Sequence, residues 1–507
     1  MSLSRIFCVS LYGLDALPVE VEVDASPSGT DKMSFVIVGL PDTAVRESKD
    51  RVLTAVKNSG FQIGLIYCTV SLAPGDLKKE GVLYDLPIAM GLLRSLGHIK
   101  NCNFDDYLIV GELGLSGQLR PVVGALAIAM LAKEQGKKGV LLPASNAREA
   151  SLLDGIKIYP ISTLREAVRF FENPNTIQPT PQQSDLSLFK NTIPAVDFSD
   201  IKGQAHVKRA LEVAAAGGHN IVLTGPPGTG KTLMAKALVG IMPDLTLEEA
   251  VEVTRVHSVA GLLPEGKSMI TQRPFRSPHH TVSYAGLIGG GTNPRPGEVS
   301  LAHHGILFLD ELPEFSRSVL EVLRQPLEDR KVTIARAYGS FTFPTNIMCV
   351  AAMNPCPCGY LGHPEKACKD TELQREKYRS KISGPLWDRL DMHIEVPHFR
   401  YAEMLKEPPS ESSEVIRLRV ERARAIQHQR LGKTRTNSQL TPREIKLQCP
   451  LSPECVSILH TAIENMSLSA RACDRIIRVS RTIADLAESP HIHPDHILEA
   501  VNFRSPN

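Results

Sequence analysis

A glycine-rich string near the middle of the chain constrains the fold more than any other feature. Residues 225–232 read Gly-Pro-Pro-Gly-Thr-Gly-Lys-Thr and match the pattern G-x-x-x-x-G-K-[ST]. The string follows the apolar run Ile221–Leu223 and opens a helical segment at Lys231, which is the context that a phosphate-binding loop requires. Its glycines let backbone N–H groups surround phosphate oxygens at the helix N-terminus. The chain is therefore predicted to contain an α/β nucleotide-binding domain.

The phosphate contacts are expected on consecutive residues of this loop. Lys231 is expected to contact the β- and γ-phosphates, and Thr232 to bind Mg²⁺ through its hydroxyl. The remaining members shape the loop around the phosphates. The predicted nucleotide-binding residues are Gly225, Pro226, Pro227, Gly228, Thr229, Gly230, Lys231 and Thr232.

A second apolar run ends in two carboxylates further along the chain. Residues 305–311 read Gly-Ile-Leu-Phe-Leu-Asp-Glu, which predicts a strand whose carboxyl end lies beside the phosphate loop. Asp310 is expected to hold Mg²⁺ through water, and Glu311 to act as the general base that polarises the attacking water. Asn354 follows a third apolar run and is expected near the γ-phosphate. A strand end with solvated acids is the alternative for the pair, and Asn354 alone would be an ordinary strand-end residue.

Length and composition limit the classes of protein that this chain can belong to. Its 507 residues predict roughly two to four domains of ~100–200 residues each. Hydrophobic residues at 42% and charged residues at 22% are typical of globular proteins and exclude a disordered or fibrous chain. A net charge of +2 gives no global positive field, so nucleic-acid contacts would need local patches. Ten cysteines are too few for a disulfide scaffold, no apolar run is long enough to span a membrane, and a cytoplasmic location is expected.

Changes of pattern along the sequence divide the chain into four parts. Residues 1–171 mix strand-like and helical segments, as in an α+β domain. Residues 172–200 are rich in Pro, Gln, Ser, Thr and Asn and are predicted to form a linker. Short apolar runs alternate with helical segments over residues 201–405, which indicates an α/β core with a parallel sheet. Residues 406–507 are helical and Arg-rich, and they are predicted to form a lid.

Two cationic elements of the core are candidates for DNA contact. The first is the insert 273–297, which has no acidic residue and contains a flexible glycine run. The second is the segment 331–344, which is typical of a β-hairpin. Loops that point into the pore of a ring can grip a phosphate backbone with Arg and stack bases on an aromatic ring. Surface loops that only close the sheet are the alternative for both elements. The predicted DNA-binding residues are Arg273, Arg276, Arg295, Arg336 and Tyr338.

A cysteine-rich string after the third apolar run is a candidate metal site. It offers three thiols and an imidazole within 13 residues, a set that suits structural Zn²⁺. Three reduced cysteines in a loop are the alternative. The adjacent pair His279-His280 is not predicted to bind metal, because neighbouring side chains on a strand point to opposite faces. The predicted metal ligands are Cys356, Cys358, His363 and Cys368.

These strings resemble those of an AAA+ ATPase, and more closely those of the magnesium-chelatase-like YifB/ComM family. The resemblance covers nearly the whole chain, through residues 221–232, 273–281, 289–312, 353–359, 383–391 and 469–486. It implies ATP and Mg²⁺ as cofactors and a ring, most simply a homo-hexamer. It also implies that Arg389 is the arginine finger inserted into a neighbouring subunit's site, and that Arg471 is the lid arginine that senses the nucleotide.

The resemblance leaves alternatives at three positions. Without the family, Arg389 would be a local ion-pair residue. Arg475 and Arg478 lie close to Arg471 on the same predicted helix. Many members of the family carry a further cysteine where this chain has Asp370, so the fourth zinc ligand is His363 or another group.

The N-terminal part resembles the ribosomal-S5-like domain of Lon proteases, through residues 111–117 and 142–146. A protease of that type needs a Ser nucleophile and a Lys base. This chain has no Ser between Glu80 and Arg94, and it has Ile128 at the position of the Lys. We therefore expect a non-proteolytic domain that serves DNA binding or ring assembly. The expected fold class is α/β, with a Lon-protease-like, S5-like α+β domain, an AAA+ core with a parallel sheet and a helical C-terminal lid.

The resemblance implies an ATP-dependent DNA translocase or helicase that promotes branch migration of recombination intermediates during natural transformation. Single-stranded DNA, branched DNA and recombinase-coated DNA are the expected partners. A chelatase-type motor subunit is one alternative, against which the basic insert and the Lon-like domain argue. A nucleotide-switched assembly scaffold is another, although a binding switch needs neither Glu311 nor Arg389.

Overall fold

The chain was analysed as a computed structural model, which describes residues 3–28, 32–100, 102–182, 196–264, 266–291, 293–336, 339–398, 410–432, 434–466 and 468–504. The predicted linker 172–200 therefore lies partly outside the described residues. The strands of the N-terminal part are β1 (Ser4–Tyr12), β2 (Asp15–Pro27), β3 (Ser34–Val38), β4 (Ile66–Ala73), β5 (Tyr107–Ile109), β6 (Glu112–Leu113), β7 (Leu119–Arg120), β8 (Gly139–Pro143) and β9 (Lys157–Ile161).

Seven of these strands form one mixed sheet in the order β3-β4-β2-β1-β5-β8-β9. The long hairpin β1–β2 is antiparallel, whereas β5, β8 and β9 pair in parallel. In β2 the valines at 19, 21 and 23 are fully buried and alternate with less buried glutamates, so one face of this strand faces a core. The accompanying helices are Thr43–Asn58, Asp85–Ser95, Ala125–Glu134, Ala147–Ala150 and Leu164–Glu172. Their apolar faces share one core with the sheet, from Ile6 to Phe171. The α+β prediction is confirmed.

The second sheet belongs to the core that follows the linker. The described strands of this part are β10 (Ile221–Thr224), β11 (Phe275–Arg276), β12 (Gly289–Gly290), β13 (Arg295–Pro296), β14 (Ile306–Leu309), β15 (Lys331–Arg336), β16 (Gly339–Pro344), β17 (Met348–Met353) and β18 (Met392–Glu395). Strands β12 and β13 form a separate two-residue pair, and β15 and β16 form a separate hairpin. The other five strands form a parallel sheet in the order β11-β14-β17-β10-β18. The middle strands β10, β14 and β17 are apolar and buried, because helices and loops cover both faces.

Helices of the core and lid enclose this sheet. The core helices are Ala205–Gly217, Lys231–Ile241, Leu247–Ala260, Tyr284–Ile288, Glu298–Leu301, Arg317–Val322, Arg324–Asp329, Glu372–Arg379 and Gly384–Trp387. The lid helices are Ser413–Leu431, Pro442–Gln448, Pro453–Met466, Ala470–Leu486 and Pro494–Asn502. Apolar residues of Ser413–Leu431 and Ala470–Leu486 join the same buried cluster as the helix Ala205–Gly217. The lid is therefore packed onto one face of the core, as the predicted helical pattern requires.

The N-terminal domain contacts the core through the turn of its β1–β2 hairpin. The Tyr12 ring lies 4.2 Å from the Phe341 ring of β16, centroid to centroid, and Leu14 is buried in the cluster that covers one face of the core sheet. Arg255 donates its Nε to the Leu14 carbonyl oxygen (3.1 Å). A second contact joins the Gly124 amide to the Ser258 hydroxyl (3.0 Å). The predicted hairpin β15–β16 thus touches the N-terminal domain.

Candidate nucleotide site

The phosphate loop connects the end of β10 to the helix that begins at Lys231. Gly228 and Gly230 have φ values of +80° and +84°, a backbone conformation in which a side chain would be strained. A Cβ at Gly225 would lie 2.3 Å from the carbonyl oxygen of Val396, so only glycine fits there. The loop therefore owes its shape to the glycines that the motif supplies.

Lys231 is held inside the loop that it follows. Its Nζ donates to the carbonyl oxygens of Gly225 (2.6 Å) and Pro226 (2.9 Å), and it lies 3.4 Å from Oδ1 of Asn354. Burial lowers the pKa of Lys231, while the nearby Asp310 carboxylate opposes this shift. A phosphate anion would restore the preference for the ammonium form, because an opposite charge favours the charged state.

The acidic strand end meets the loop because of the strand order. Strand β17 lies between β10 and β14 and pairs in parallel with both, so the residues after all three strands lie at one edge of the sheet. The Thr232 hydroxyl donates to Oδ2 of Asp310 (2.9 Å). Both groups are oxygen ligands of the kind that Mg²⁺ takes, together with water and phosphate. The chain thus offers a hydroxyl and a carboxylate that fit a magnesium ion.

One cavity of about 430 Å³ collects the predicted nucleotide-site residues at this edge. Its lining comprises Pro227, Gly228, Thr229, Gly230, Lys231, Thr232, Leu233, Asp310, Glu311, Met353 and Asn354. Gly225 and Pro226 form the floor of the loop through their carbonyl contacts with Lys231. Loop, acidic pair and amide therefore face the same space.

Glu311 combines an unusual backbone conformation with an exposed side chain. Its φ is +52°, which is the left-handed region, and its side chain is 57% exposed beside the cavity. Nδ1 of His280 lies 3.7 Å from Oε2 of Glu311. His280 was not predicted to lie at this site, because it was interpreted as part of the cationic insert and the pair His279-His280 was not expected to bind metal. Its signal was its position in the insert, which the parallel pairing of β11 with β14 brings to the acidic strand.

Arg389 lies at the other edge of the sheet. It precedes β18, whose first residue pairs with Ile221 at the start of β10, whereas the phosphate loop follows the last residue of β10. The four residues of β10 separate these edges by roughly 13 Å at ~3.3 Å per residue. Arg389 donates Nε to the Arg324 carbonyl oxygen (3.0 Å) and pairs with Glu328. Its guanidinium is thus on the far side of the sheet from the phosphate loop of its own chain.

The three lid arginines have different surroundings. Arg471 is exposed and makes no hydrogen bond or ion pair with any described residue. Arg475 forms an ion pair with the buried carboxylate of Asp391 and reaches the Arg389 carbonyl oxygen (3.4 Å). Arg478 is largely buried, and burial lowers its pKa. Arg471 is therefore the one of the three whose side chain is exposed.

The structure separates the predicted DNA-binding arginines into two kinds. Arg273 donates to the carbonyl oxygens of Pro243 (2.6 Å) and His304 (2.7 Å), and it pairs with Glu249 (3.0 Å). Arg276 forms a bidentate pair with Glu298, with both distances at 2.7 Å. Both arginines are thus engaged with acidic side chains, and their assignment to DNA stays a prediction. Neither glutamate lies within the insert, so the local charge pattern did not indicate these pairs.

Arg295 and Arg336 are exposed and form no ion pair with any described residue, unlike Arg273 and Arg276. Arg295 is exposed on the two-stranded pair β12–β13, and Arg336 is exposed at the end of β15. Nε of Arg336 donates to the Gly291 carbonyl oxygen (3.2 Å), which joins the predicted hairpin to the glycine run of the insert. Tyr338 lies outside the described residues. The two cationic elements of the sequence analysis thus form one surface.

The cysteine-rich string brings together four potential ligands, one of which was not in the predicted set. Sγ atoms of Cys356, Cys358 and Cys368 lie 3.4–3.6 Å apart, and Oδ2 of Asp370 lies 3.7 Å from Sγ of Cys368. A tetrahedral Zn²⁺ with Zn–S distances of ~2.3 Å would need sulfurs about 3.8 Å apart. Three thiols at such distances without a disulfide fit a metal better than ordinary packing.

His363 lies outside this group. Its Nδ1 accepts the backbone N–H groups of Glu365 and Lys366, both at 3.1 Å, and its ring packs 4.4 Å from that of His398. Asp370 takes the fourth position instead, and it also accepts the Cys358 amide (2.9 Å). The structure thus groups Asp370, which lies two residues from Cys368, with the three thiols, and it does not bring His363 to them.

A second group of potential ligands is better explained by hydrogen bonds. One carboxylate oxygen of Glu252 accepts from Nε2 of His303 (3.0 Å) and of His304 (2.8 Å). The backbone N–H of Asn346 donates to Nδ1 of His303 (3.0 Å), so the ring proton of His303 must be on Nε2. These bonds, led by that from His303, hold the pKa of Glu252 well below its usual range. Metal binding at Nε2 would break this arrangement.

Three sequence profiles match consecutive parts of the chain. The profile described as magnesium chelatase, subunit ChlI, matches residues 197–404, that of subunit ChlI of Mg-chelatase matches residues 21–146, and that of the subunit ChlI C-terminal region matches residues 410–504. Together with the parallel sheet and its phosphate loop, they define an AAA+ ATPase-like protein of the magnesium-chelatase type. No helix of the described part is long and apolar enough to cross a membrane.

Relatives match along the full length. Competence protein ComM of Haemophilus influenzae is 40% identical over 512 residues, which cover 100% of this chain and 98% of that protein. Uncharacterized protein YifB of Escherichia coli is 40% identical over 507 residues, covering 100% and 97%. The chain belongs to the magnesium-chelatase-like YifB/ComM family. Lon protease 2 of Bacillus subtilis is 33% identical over 157 residues, covering 28% of this chain and 27% of that protein, in line with the Lon-like expectation.

Proposed function

We propose that this protein is a ring-forming, ATP-dependent DNA translocase that promotes branch migration of recombination intermediates in natural transformation. The observation that carries the proposal is the meeting of Lys231, Thr232, Asp310, Glu311 and Asn354 around one cavity. The name of the Haemophilus influenzae relative, a competence protein, supports the biological setting. A cytoplasmic homo-hexamer acting on single-stranded, branched and recombinase-coated DNA is part of the proposal.

Each of the residues around the cavity would have its own role in ATP hydrolysis. Lys231 neutralises charge on the β- and γ-phosphates, and Asn354 orients the attacking side of the γ-phosphate. Thr232 and Asp310 would hold Mg²⁺, which would supply positive charge to offset the negative charge that develops on the phosphates. Glu311 takes the proton of the attacking water, since its exposed carboxylate is not engaged by Thr232. His280, 3.7 Å away, orients that carboxylate.

Arg389 would complete the site of a neighbouring subunit. It lies at the edge of the sheet opposite the phosphate loop, so it can reach a γ-phosphate only across an interface. Its contact with Glu328, a side chain 53% exposed, is the kind of pair that an interface can replace. We assign Arg471, exposed on the lid, as the second arginine at that nucleotide. Both assignments make the ring a condition of turnover.

DNA would contact the surface shared by Arg295 and Arg336, and Tyr338, which lies outside the described residues, remains a proposed DNA-binding residue. The described residues of this surface carry no carboxylate paired with either arginine, unlike Arg273 and Arg276. Phosphate contacts of this kind are independent of sequence and weaken as salt rises, because they release counterions. The Tyr12–Phe341 contact would transmit movement of the hairpin to the N-terminal domain.

The test is the ATPase rate of the full chain with and without single-stranded and forked DNA, together with displacement of an annealed strand. Arg336→Ala should lose stimulation by DNA and strand displacement. Lys331→Ala is the matched control, because Lys331 is exposed at the other end of the same strand. A chain that hydrolyses ATP but neither binds DNA at low salt nor moves a fork would refute the translocase. The chelatase-type motor, which the ChlI profiles favour, or a nucleotide-switched scaffold would then come first.

We further propose that Cys356, Cys358, Cys368 and Asp370 hold one structural Zn²⁺ per chain. The metal would fix the loop after β17, which also carries Asn354. Elemental analysis after purification without chelator should find about one zinc, and Cys356→Ser with Cys358→Ser should remove it. His363→Ala should retain the metal and Asp370→Ala should weaken its binding. Zinc-free wild-type protein would overturn the proposal, and loss of zinc from His363→Ala would overturn the ligand set.

The division of the chain into residues 1–171, 172–200, 201–405 and 406–507 is kept as a proposal. Two hydrophobic clusters, one from Ile6 to Phe171 and one from Phe198 to Phe503, support the division at the linker, while the second cluster contains residues of both core and lid. Within the first part, Ile128 is fully buried in the helix Ala125–Glu134, where a Lon-type protease would need a lysine. We therefore propose that the N-terminal domain serves assembly or DNA contact rather than proteolysis.

A further inference from the structure

A polar cleft lies between core and lid at the edge of the sheet opposite the phosphate loop. Its core side is formed by residues just before β14 and β17, and its lid side by the helix Ser413–Leu431 and the segment after it. Strand β14 and the residues that flank it separate the cleft from Asp310 by roughly 15 Å at ~3.3 Å per residue. The cleft is therefore distinct from the nucleotide cavity.

Three arginines line this cleft, and only one of them has an acidic partner among the described residues. Arg273 pairs with Glu249. Arg330 donates to Oδ1 of Asn346 and to the Ser438 hydroxyl (3.1 Å), which are neutral acceptors. Arg424 donates Nε and Nη2 to a single acceptor, the carbonyl oxygen of Ala215. Two guanidinium groups thus line the cleft without an ion-pair contact to any described residue, although the carboxylate of Glu249 lies in the same cleft.

The surroundings of these two arginines are unfavourable for a cation. Burial lowers the pKa of Arg330 to about 10 and that of Arg424 to about 9. The positive charge of Arg273 adds to the effect at Arg424, and Glu249 opposes it. A buried charge is costly unless it is paired and hydrogen-bonded, so an anion in the cleft would relieve a cost already present.

The other polar groups in the cleft include hydrogen-bond donors. Thr436 presents a hydroxyl, and Gln439 directs its amide at Oδ1 of Asn346 (3.2 Å), an acceptor that Arg330 already uses. Each guanidinium has five N–H donors, so both arginines keep free ones. The cleft has a volume of about 40 Å³, which by the usual allowance of ~10–15 Å³ per water holds about three waters or one small tetrahedral ion.

Backbone strain is concentrated at the same place. Seven described residues other than glycine have a positive φ, and three of them line this cleft: His304 (+55°), Arg330 (+55°) and Thr434 (+69°). For the β-branched Thr434 this conformation is a genuine outlier. Such strain persists only where surrounding structure enforces it, and it gathers at functional sites.

We propose that this cleft binds a tetrahedral oxyanion, of the inorganic phosphate or phosphate ester class, between Arg330 and Arg424. The ion would bridge the core and the lid, because Arg330 belongs to the core and Arg424 to the lid helix. Free phosphate released by hydrolysis and a phosphodiester of bound DNA share this chemistry. Either source would couple the position of the lid to an event outside the nucleotide cavity.

The experiment uses the full chain saturated with Mg²⁺ and a non-hydrolysable ATP analogue, so that the phosphate loop is filled. Equilibrium dialysis with radiolabelled inorganic phosphate should then find about one phosphate per chain. Arg424→Gln and Arg330→Gln should each reduce phosphate affinity at least ~10-fold, the loss of a charge-assisted hydrogen bond. Arg422→Gln is the matched control, because Arg422 lies on the same helix but is 64% exposed and pairs with Glu488.

Each outcome of this experiment bears on whether the cleft binds phosphate or on the source of that phosphate. No phosphate bound to the analogue-saturated wild type would overturn the proposal, and so would equal affinity in Arg424→Gln, Arg330→Gln and Arg422→Gln. If Arg424→Gln fails to bind the ATP analogue, Arg424→Lys replaces it, since a lysine keeps the charge and should retain weaker phosphate binding. A short single-stranded oligonucleotide that displaces the phosphate would identify the DNA backbone as the source, and absence of displacement would identify free phosphate.

Discussion

The two edges of the five-stranded sheet differ in the charged groups that they carry and in how these groups are paired. At the carboxyl edge, one lysine and two adjacent carboxylates surround an open cavity, and Glu311 is exposed. At the amino edge, buried ion pairs dominate: Asp391 accepts the Asn220 amide (2.9 Å) and pairs with Arg475. The first edge can exchange its contacts for a nucleotide, whereas most charges at the second are already paired. Arg330 and Arg424 have no ion-pair partner among the described residues, and Arg389 pairs with Glu328, whose side chain is 53% exposed. The proposed contacts with a neighbouring chain and with an anion would therefore form at the amino edge.

The largest effect is expected from Arg389, which lies at the amino edge of its own sheet and is proposed to act at the carboxyl edge of a neighbouring chain. Arg389→Ala should bind ATP but lose about 10³–10⁵-fold in turnover, because a finger stabilises charge on the transferred phosphoryl group. Steady-state ATPase at saturating ATP measures this loss. Mixing Arg389→Ala with Glu311→Gln should restore part of the activity, since each variant supplies what the other lacks.

Glu328→Ala is the control for the local contact of Arg389. If Arg389 served only its ion pair with Glu328, Glu328→Ala would lower turnover as much as Arg389→Ala. Near-normal ATPase in Arg389→Ala would remove the finger assignment, and with it the requirement for a ring.

The next largest effect tests the paired part of the amino edge. Asp391→Asn should lower the free energy of unfolding by about 3–5 kcal/mol, because it leaves Arg475 buried without its partner. Although burial raises the pKa of Asp391, the charge of Arg475 and several hydrogen bonds hold it well below the usual range. Its contribution is therefore complete above the unfolded value of ~3.9 and is lost as the pH falls below it.

Chemical denaturation at pH 7 and at lower pH measures this difference, which should shrink as Asp391 becomes protonated. Asp388→Asn is the matched control. Asp388 is 38% exposed and lies 3.8 Å from Arg504, so its removal should cost no more than about 1 kcal/mol. Equal costs for the two variants would mean that the amino edge is not held by its buried carboxylate.

Lys231→Ala tests the carboxyl edge with a smaller effect. Loss of a charged donor to phosphate costs about 1.5–3 kcal/mol, so nucleotide affinity should fall roughly 10–150-fold. Titration with a fluorescent ATP analogue measures it. Arg389→Ala should keep wild-type affinity in the same assay, because its guanidinium lies at the other edge. A similar loss of affinity in both variants would erase the distinction between the edges.

The carboxyl edge was predictable because its parts are short strings attached to strands. Residues 225–232 carry their own geometry, and a parallel sheet brings Asp310 and Asn354 to the same edge whatever the intervening sequence. The fold class followed from the same alternation of apolar runs and helices. The position of His280 beside Glu311 was not predicted, because it depends on the path of a long insert, which no local sequence pattern specifies.

The amino edge could not be predicted in this way. Its groups come from residues 218 to 439, and each looks ordinary in its own segment. Arg273 and Arg276 looked free because a charge pattern shows neighbours in sequence, while their partners Glu249 and Glu298 were supplied by the fold. For the same reason, the sequence indicated the three cysteines of the proposed zinc site but left its fourth ligand open between His363 and another group, because the turn of the loop decides which side chain lies beside the thiols.

The smallest expected effect compares the strained residue at each edge. Glu311 (φ +52°) and Thr434 (φ +69°) both hold left-handed backbone, at a cost of about 1–2 kcal/mol for an L-residue. Glycine removes that strain but loses about 0.5–1 kcal/mol to the greater freedom of the unfolded chain. Thr434→Gly and Glu311→Gly should therefore each raise the free energy of unfolding by up to about 1 kcal/mol, as measured by denaturation. Only Glu311→Gly should abolish hydrolysis, because its side chain faces the nucleotide cavity. If Thr434→Gly destabilised the protein instead, the strain at the amino edge would be too small to reflect a function there, and the contrast between the edges would be one of charge alone.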